Sequence, residues 1–217
     1  MKYLGERKEM INLCRRLETL GLSYGVSGNL SWRLGNSILI TPSGRDYNSL
    51  GPGDLVVLNH EGLVLSGSFK PSSEWRIHVE ILSKKPTINS VLHVHAPYST
   101  GVSCTRKDIP AFHYMAAVAG GDNIRCAPYA MFGTQELSDA VLQALADRKA
   151  CLMANHGMIT LGVDPSDALA LAVEVETLAE QFVHACTCGD PVILGREEMR
   201  RVISAFKTYG SSPNDRK

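Results

Sequence analysis

The sequence predicts an α/β sandwich in which helices cover a mixed, largely antiparallel sheet. Short apolar strand segments alternate along the chain with amphipathic helical segments, which is typical of this class. Several strands are joined by turns too short for a crossover helix, which favours antiparallel neighbours over a purely parallel, doubly wound sheet. The length of 217 residues suits a single domain over 1–217, with a core large enough to fold without disulfides.

The first half of the chain is predicted to begin with a helix over residues 2–20, which Gly21 ends. The segment 24–31 is too rich in Gly and Ser for a helix. Three strands follow, the last two forming a hairpin, at 37–41, 54–58 and 63–65. A second helix opens at 71–74, where we expect a serine N-cap followed by an acid in the first turn.

The second half is predicted to contain three strands and three helices, ending in a flexible polar tail at 211–217. The strands are expected at 91–95, 150–154 and 158–161. The helices are expected at 134–147, 166–188 and 197–208.

Composition excludes several classes of protein. Lys plus Arg equals Asp plus Glu at 22 each, so no basic surface for nucleic acid is expected. No run of about 18 apolar residues exists, so no membrane span is expected. The charged N-terminus has no signal-peptide pattern, and the six scattered cysteines are expected to be reduced thiols in the cytoplasm.

Two histidines on one predicted strand are the first candidate for a metal site. His93 and His95 lie two residues apart, so they point to the same face, while Val94 points to the opposite side, into the core. Two neighbouring imidazoles can coordinate one divalent metal ion. An isolated pair of this kind is as often a pair of hydrogen-bonded histidines, and both interpretations stay open for this motif alone.

Two further residues complete the candidate site. His156 follows an apolar strand in Asn155-His156-Gly157. Three histidines and a carboxylate form a site for a divalent transition ion, of which zinc is the first candidate. Glu74 supplies the carboxylate, although an acid at a helix start can also be a simple capping residue. His78 is a rival ligand that we expect instead to be a buried packing residue or a partner of the ligands.

Five motifs in this order and spacing resemble the class II aldolase and adducin head family over nearly the whole chain. They are Ser27-Gly28-Asn29-Leu30-Ser31, Thr41-Pro42-Ser43-Gly44, Pro71-Ser72-Ser73-Glu74, His93-Val94-His95 and Asn155-His156-Gly157. Within the family they are most similar to the ketose-1-phosphate aldolases of the L-fuculose-1-phosphate and 5-deoxypentulose or methylthioribulose 1-phosphate types. The resemblance implies a three-layer α/β/α sandwich and a homotetramer with active sites at subunit interfaces.

The resemblance also implies a phosphate site and a metal site. Backbone N–H groups and hydroxyls at a helix start suit an anion. The implied phosphate residues are Gly28, Asn29, Ser43, Gly44, Ser72 and Ser73, and the implied zinc ligands are Glu74, His93, His95 and His156.

A mechanism follows from this likeness. One zinc per subunit acts as a Lewis acid that stabilises the enediolate formed as the carbon–carbon bond breaks, yielding dihydroxyacetone phosphate and a small aldehyde. Glu74 first binds zinc and then serves as acid and base at C3, which a raised carboxyl pKa would assist. Tyr114, reaching in from a neighbouring subunit, and Tyr209, near the C-terminus, match family tyrosines that serve the aldehyde half.

Three alternatives share the fold. Pentulose-5-phosphate 4-epimerases usually carry Asp where Glu74 stands, and methylthioribulose-phosphate dehydratases lack the Ser-Ser-Glu arrangement, so Glu74 favours an aldolase. A non-catalytic interaction domain like the adducin head would have lost metal ligands that are all present here. The aldehyde pocket is expected around Tyr114, Phe132 and the tail, and apolar residues of segment 108–115 suit either a deoxy or thioether end or a subunit interface.

Overall fold

The computed structural model describes residues 1–206, which form six α-helices and eight strands. The helices are α1 (Leu4–Thr19), α2 (Trp75–Lys84), α3 (Pro97–Ser103), α4 (Gln135–Ala144), α5 (Pro165–Cys188) and α6 (Arg196–Phe206). The strands are β1 (Asn29–Leu34), β2 (Ser37–Ile40), β3 (Val56–Leu58), β4 (Val64–Ser66), β5 (Ser90–Val94), β6 (Arg125–Ala127), β7 (Ala150–Met153) and β8 (Gly157–Gly162). The predicted tail at 211–217 lies outside the described residues.

The eight strands form one sheet in the order β4-β3-β2-β1-β5-β8-β7-β6. Each neighbouring pair is antiparallel except β6 and β7, which are parallel. The mixed, largely antiparallel sheet predicted from the sequence is therefore confirmed. Its central strand β5 lies between β1 and β8, and its residue His93 faces Asn29 on one side and Ile159 on the other.

Successive side chains along the strands pack into two separate cores, one on each face of the sheet. The sheet therefore lies between two layers of helices, as a three-layer sandwich. Leu39 packs into a core shared with α1, α3 and α5, whereas its neighbours Ile38 and Ile40 pack into a core shared with α2 and α4. This period of two is the ordinary geometry of a strand buried on both faces. Among residues 1–206, no helix combines the length and apolar character needed to cross a membrane.

Three elements were not predicted from the sequence. Strand β1 begins inside the Gly- and Ser-rich segment because pairing with β2 and β5 stabilises its backbone. Helix α3 begins at Pro97, a residue type that suits the first position of a helix because the missing N–H needs no partner there. Strand β6 is only three residues long and is held by β7.

Helix α2 begins later than predicted, and this corrects its expected cap. Its N-cap position is Glu74, whose side chain makes no capping hydrogen bond, so neither a serine N-cap nor a capping acid is present. Instead, the backbone N–H of Glu74 donates to the hydroxyl of Ser72 at 3.2 Å. The carboxylate of Glu74 is thereby left free to face the sheet.

Candidate active site

Three histidines meet where β5 ends beside the start of β8. His93 is the fourth residue of β5, His95 follows the end of that strand, and His156 immediately precedes β8. One ring nitrogen from each of the three lies within 4.8 Å of the others. The Nε2 atoms of His93 and His95 are 2.9 Å apart, so one small ion could contact all three rings.

A glycine allows this close approach. Strands β5 and β8 pair with Val94 opposite Met158, which brings the loop before β8 against the end of β5. A Cβ on Gly157 would lie 2.5 Å from the Val94 carbonyl oxygen and 2.9 Å from the His95 ring. Any larger residue would therefore push the loop carrying His156 away from the other two histidines.

Glu74 closes the fourth side of the cluster. Its side chain is only 8% exposed, its Oε2 lies 3.2 Å from His93 Nε2, and its Oε1 lies 3.4 Å from His156 Nε2. Among the residues that the structure describes, its oxygen Oε1 is buried and has no hydrogen-bond partner. A buried, unpaired carboxylate oxygen facing imidazole nitrogens is the arrangement that a cation would satisfy.

The protonation of the rings also suits a metal. The Nδ1–H of His93 donates to the Met158 carbonyl at 2.9 Å, which leaves the Nε2 lone pair directed at the cluster. Burial, with the neighbouring His93 and His156, lowers the pKa of His95 to about 4. Burial and His93 also lower the pKa of His156. Both rings are therefore neutral ligands at neutral pH.

The pKa of Glu74 differs from the sequence-based expectation. Burial acts to raise it, but the adjacent His93 and His156 and the hydrogen bond from Asn29 outweigh that effect, so the pKa lies below its usual value. The expected raised pKa is therefore wrong for this chain. Glu74 is an ionised acceptor at neutral pH, as both a metal ligand and a base must be.

A buried chain of hydrogen bonds orients Glu74. The Asn29 amide donates to Glu74 Oε2 at 3.0 Å, and its carbonyl oxygen accepts from His78 Nε2. His78 Nδ1 in turn accepts from the Ser31 hydroxyl at 2.7 Å. Burial lowers the pKa of His78 to about 3, so the ring is neutral. His78 is thus a buried partner of the site, as predicted.

The six predicted phosphate residues line the same cleft as Glu74, His95 and His156. The cleft encloses about 360 Å³. The six residues, all uncharged, are Gly28, Asn29, Ser43, Gly44, Ser72 and Ser73. Gly28 has φ of 85°, and a Cβ there would lie 2.7 Å from the His93 carbonyl oxygen, so glycine is required beside the histidines.

Apolar residues form the mouth of the cleft. Phe132, Tyr129 and Val26 line it and are each more than half exposed. Phe132 was predicted, whereas Tyr129 and Val26 were not, because a single exposed apolar residue in a loop carries no sequence signal.

Tyr114 and the rest of segment 108–115, which were predicted for the aldehyde end, do not line the cleft of this chain. Tyr114 is 49% exposed, does not line the cleft and stacks on Phe206 with ring centroids 6.4 Å apart. In segment 108–115, Ile109 is fully buried in the α1/α3/α5 core and Phe112 packs on Phe182, so these two apolar side chains pack within the chain itself. Tyr209 lies outside the described residues.

The sequence matches the family described as Class II Aldolase and Adducin N-terminal domain over residues 8–183. The chain belongs to this aldolase family. The match spans every residue of the histidine and Glu74 cluster and all six uncharged residues of the cleft.

Relatives of this class II aldolase chain are named as aldolases. A 5-methylthioribulose-1-phosphate/5-deoxyribulose-1-phosphate aldolase of Rhodospirillum rubrum is 50% identical over 206 residues, covering 95% of this chain and 93% of the relative. An L-fuculose phosphate aldolase of Escherichia coli is 44% identical over 204 residues, covering 94% of each. A solved L-fuculose 1-phosphate aldolase superposes with a TM-score of 0.91 at 36% identity, covering 94% of this chain and 96% of that one.

These findings confirm the family, the fold and the aldolase type of enzyme predicted from the sequence. Class II aldolases are metal-dependent, and the three histidines form a group that could hold the ion.

Proposed function

We propose that this protein is a zinc-dependent class II aldolase that reversibly cleaves a ketose 1-phosphate into dihydroxyacetone phosphate and a small aldehyde. The observation that carries the proposal is that His93, His95, His156 and Glu74 cluster beside the six uncharged residues that line the same cleft. The relatives named as fuculose, methylthioribulose and deoxyribulose 1-phosphate aldolases support the substrate class.

The residues of the cluster fit a resident zinc ion. Three imidazoles and one carboxylate are a ligand set typical of this metal, and a cation would satisfy the Oε1 of Glu74, which is buried and unpaired among residues 1–206. We propose one ion per chain. When bound, it supplies Lewis-acid polarisation of the substrate carbonyl.

Glu74 is proposed as the acid and base. Breaking the C3–C4 bond leaves an electron pair at C3 and converts the C4 hydroxyl into the aldehyde carbonyl. The C4 hydroxyl releases its proton in this step, and the ionised Glu74 takes up one proton and delivers it to C3. In the reverse direction Glu74 removes the proton from C3 and the C4 oxygen is protonated again. The hydrogen bond from Asn29 to Oε2 holds the carboxylate in the cleft while the buried Oε1 faces His156. Asn29 therefore has a second role beside phosphate binding.

The phosphate is proposed to lie against the segment that directly precedes Glu74. Ser72 and Ser73 stand next to this carboxylate in the chain, so a phosphate held there is close to the metal. In a ketose 1-phosphate, the phosphate is one carbon from the carbonyl, and this short span fits. In a 5-phosphate it is several carbons away, so the same cradle would require the sugar to fold back or bind in reverse.

Ser73→Ala tests this phosphate site. We expect kcat/KM for the ketose 1-phosphate to fall by the value of one hydrogen bond to a charged group, about 1.5–3 kcal/mol. Cleavage of the unphosphorylated sugar is expected to change far less. Ser68→Ala, an exposed serine of the same segment outside the cleft, is the matched control. Equal losses on both substrates would mean that Ser73 supports the fold or the metal instead.

The enzyme is proposed to work as a homotetramer with the active site at a subunit boundary. Tyr114 is exposed and does not line its own chain's cleft, so it is free to serve the C4 hydroxyl in a neighbouring copy. Tyr209 is proposed to assist at the same end.

Mixing two inactive variants tests the shared site. Subunits with Tyr114→Phe keep a complete metal cluster, and subunits with His95→Ala keep the tyrosine. We expect mixed oligomers to recover part of the activity, because some boundaries combine one intact half from each variant. Activity is measured after subunit exchange has been verified by mass. An inactive mixture would place tyrosine and metal in the same chain.

The aldehyde half is proposed to be small and apolar at its end. Phe132, Tyr129 and Val26 present exposed apolar surface at the cleft mouth, which suits a methyl or methylthio terminus. A panel of fuculose, rhamnulose, 5-deoxyribulose and 5-methylthioribulose 1-phosphates, assayed for dihydroxyacetone phosphate, tests the proposal. Cleavage of at least one supports it. Epimerisation of a pentulose 5-phosphate without cleavage would indicate the epimerase alternative, and bound zinc with neither activity would indicate an interaction domain.

A further inference from the structure

Two residues near the cleft adopt the left-handed backbone conformation that glycine normally supplies. Arg106, just beyond the end of α3, has φ of 58°, and Asn155, in the β7–β8 loop, has φ of 55°. The carbonyl oxygen of Ser103 accepts hydrogen bonds from the backbone N–H groups of both, at 2.9 Å and 3.2 Å. The end of α3 and the β7–β8 loop are therefore joined at one backbone acceptor.

The Arg106 side chain makes a second connection between these segments. Its Nε donates to the side-chain oxygen of Asn155 at 2.8 Å. Its guanidinium carbon lies 5.8 Å from the centre of the Tyr129 ring, within cation–π range. Asn155 and Tyr129 both line the cleft, so one arginine outside the cleft contacts two of its walls.

The position of His156 depends on this loop. His93 is fixed by the hydrogen bond from its ring to the Met158 carbonyl, but within residues 1–206 the ring nitrogens of His156 have no backbone partner. Asn155 directly precedes His156, and the backbone N–H of His156 donates to the Met153 carbonyl at 3.0 Å. Any change in the conformation of Asn155 would therefore move the His156 ring.

We propose that Arg106 is a positioning residue for the metal centre. By holding the Asn155 amide, it keeps this residue in its left-handed conformation, which asparagine adopts when its short polar side chain is held by a local hydrogen bond. Arg106 thereby keeps the His156 ring close to His93, His95 and Glu74. The inference rests on the metal site proposed above and adds to it a residue that touches neither metal nor substrate.

Zinc affinity of the purified protein, measured by competition with a chromophoric chelator, tests this role without any substrate. We expect Arg106→Gln to weaken zinc binding about three- to tenfold, as the loss of one hydrogen bond predicts. Asn155→Gly keeps the left-handed conformation accessible but removes the amide. In that background, Arg106→Gln is expected to cause no further loss, because the arginine acts through Asn155.

Two controls separate positioning from general stability. Arg201→Gln removes another exposed arginine with a side-chain hydrogen bond, to Glu197 on α6, and is expected to leave zinc affinity unchanged. The melting temperature of the zinc-free variants is measured in parallel. Unchanged zinc affinity in Arg106→Gln, or an equal loss with and without Asn155→Gly, would overturn the inference and leave the metal site intact. Failure of the unmodified protein to bind zinc would overturn both.

Discussion

His95→Ala is expected to remove the metal and the activity together. In structural zinc sites, the ligands share about 10–16 kcal/mol of binding free energy, so one of four is worth about 3 kcal/mol, or roughly 100-fold in Kd. The Nε2 of His95 lies 2.9 Å from that of His93, and no other side chain of the cluster can take its place. Metal content after equilibration with buffered zinc, and cleavage rate, are measured on the same sample.

An exposed histidine provides the control for this experiment. His184 lies on α5 and takes no part in the cleft, so His184→Ala is expected to retain both metal and rate. Full zinc occupancy in His95→Ala would show that the ligand set is wrong. Lost activity with retained metal would instead assign His95 a role toward substrate.

Glu74→Gln is expected to retain much of the metal and to lose turnover by about 10²–10⁴-fold, the range that general acid–base catalysis supplies. Three imidazoles remain to hold the ion, and the amide has nearly the shape of the carboxylate. An amide cannot take a proton from carbon or deliver one. The measurement is hydrogen exchange at C3 of dihydroxyacetone phosphate, which isolates the proton transfer from the aldehyde half.

Helix α2 offers the matched control for Glu74. Glu80 lies on the same helix but outside the cleft, and its carboxylate accepts from Gln135 at 2.7 Å. We expect Glu80→Gln to exchange the C3 proton at the normal rate. Near-normal exchange in Glu74→Gln would show that another group is the base.

The strand geometry of the histidine pair could be predicted from the sequence. A strand has a period of two, so His93 and His95 had to share a face, and Val94 does enter the opposite core. The position of His156 followed from its place in a short loop beside an apolar strand. The close approach of Glu74 could not be obtained this way, because it depends on how α2 packs against the sheet. The family resemblance supplied that link.

The hydrogen-bond chain behind Glu74 was beyond sequence reasoning. Asn29 and Ser31 lie two residues apart on β1 and therefore share a face. Their common partner, His78, comes from the inner face of α2, which is distant in the sequence. The prediction of a serine N-cap for α2 was wrong for a related reason. Ser72 has the residue type of an N-cap, yet Glu74 occupies the cap position and its carboxylate is drawn toward the histidines.

The metal dependence of cleavage tests the central claim most directly. Zinc is removed with a chelator and then titrated back while release of dihydroxyacetone phosphate from 5-methylthioribulose 1-phosphate and L-fuculose 1-phosphate is followed. We predict that the metal-free protein is inactive and that activity on at least one substrate rises in proportion to occupancy, reaching a plateau at one zinc per chain. Full cleavage by protein shown to be free of metal would contradict the account.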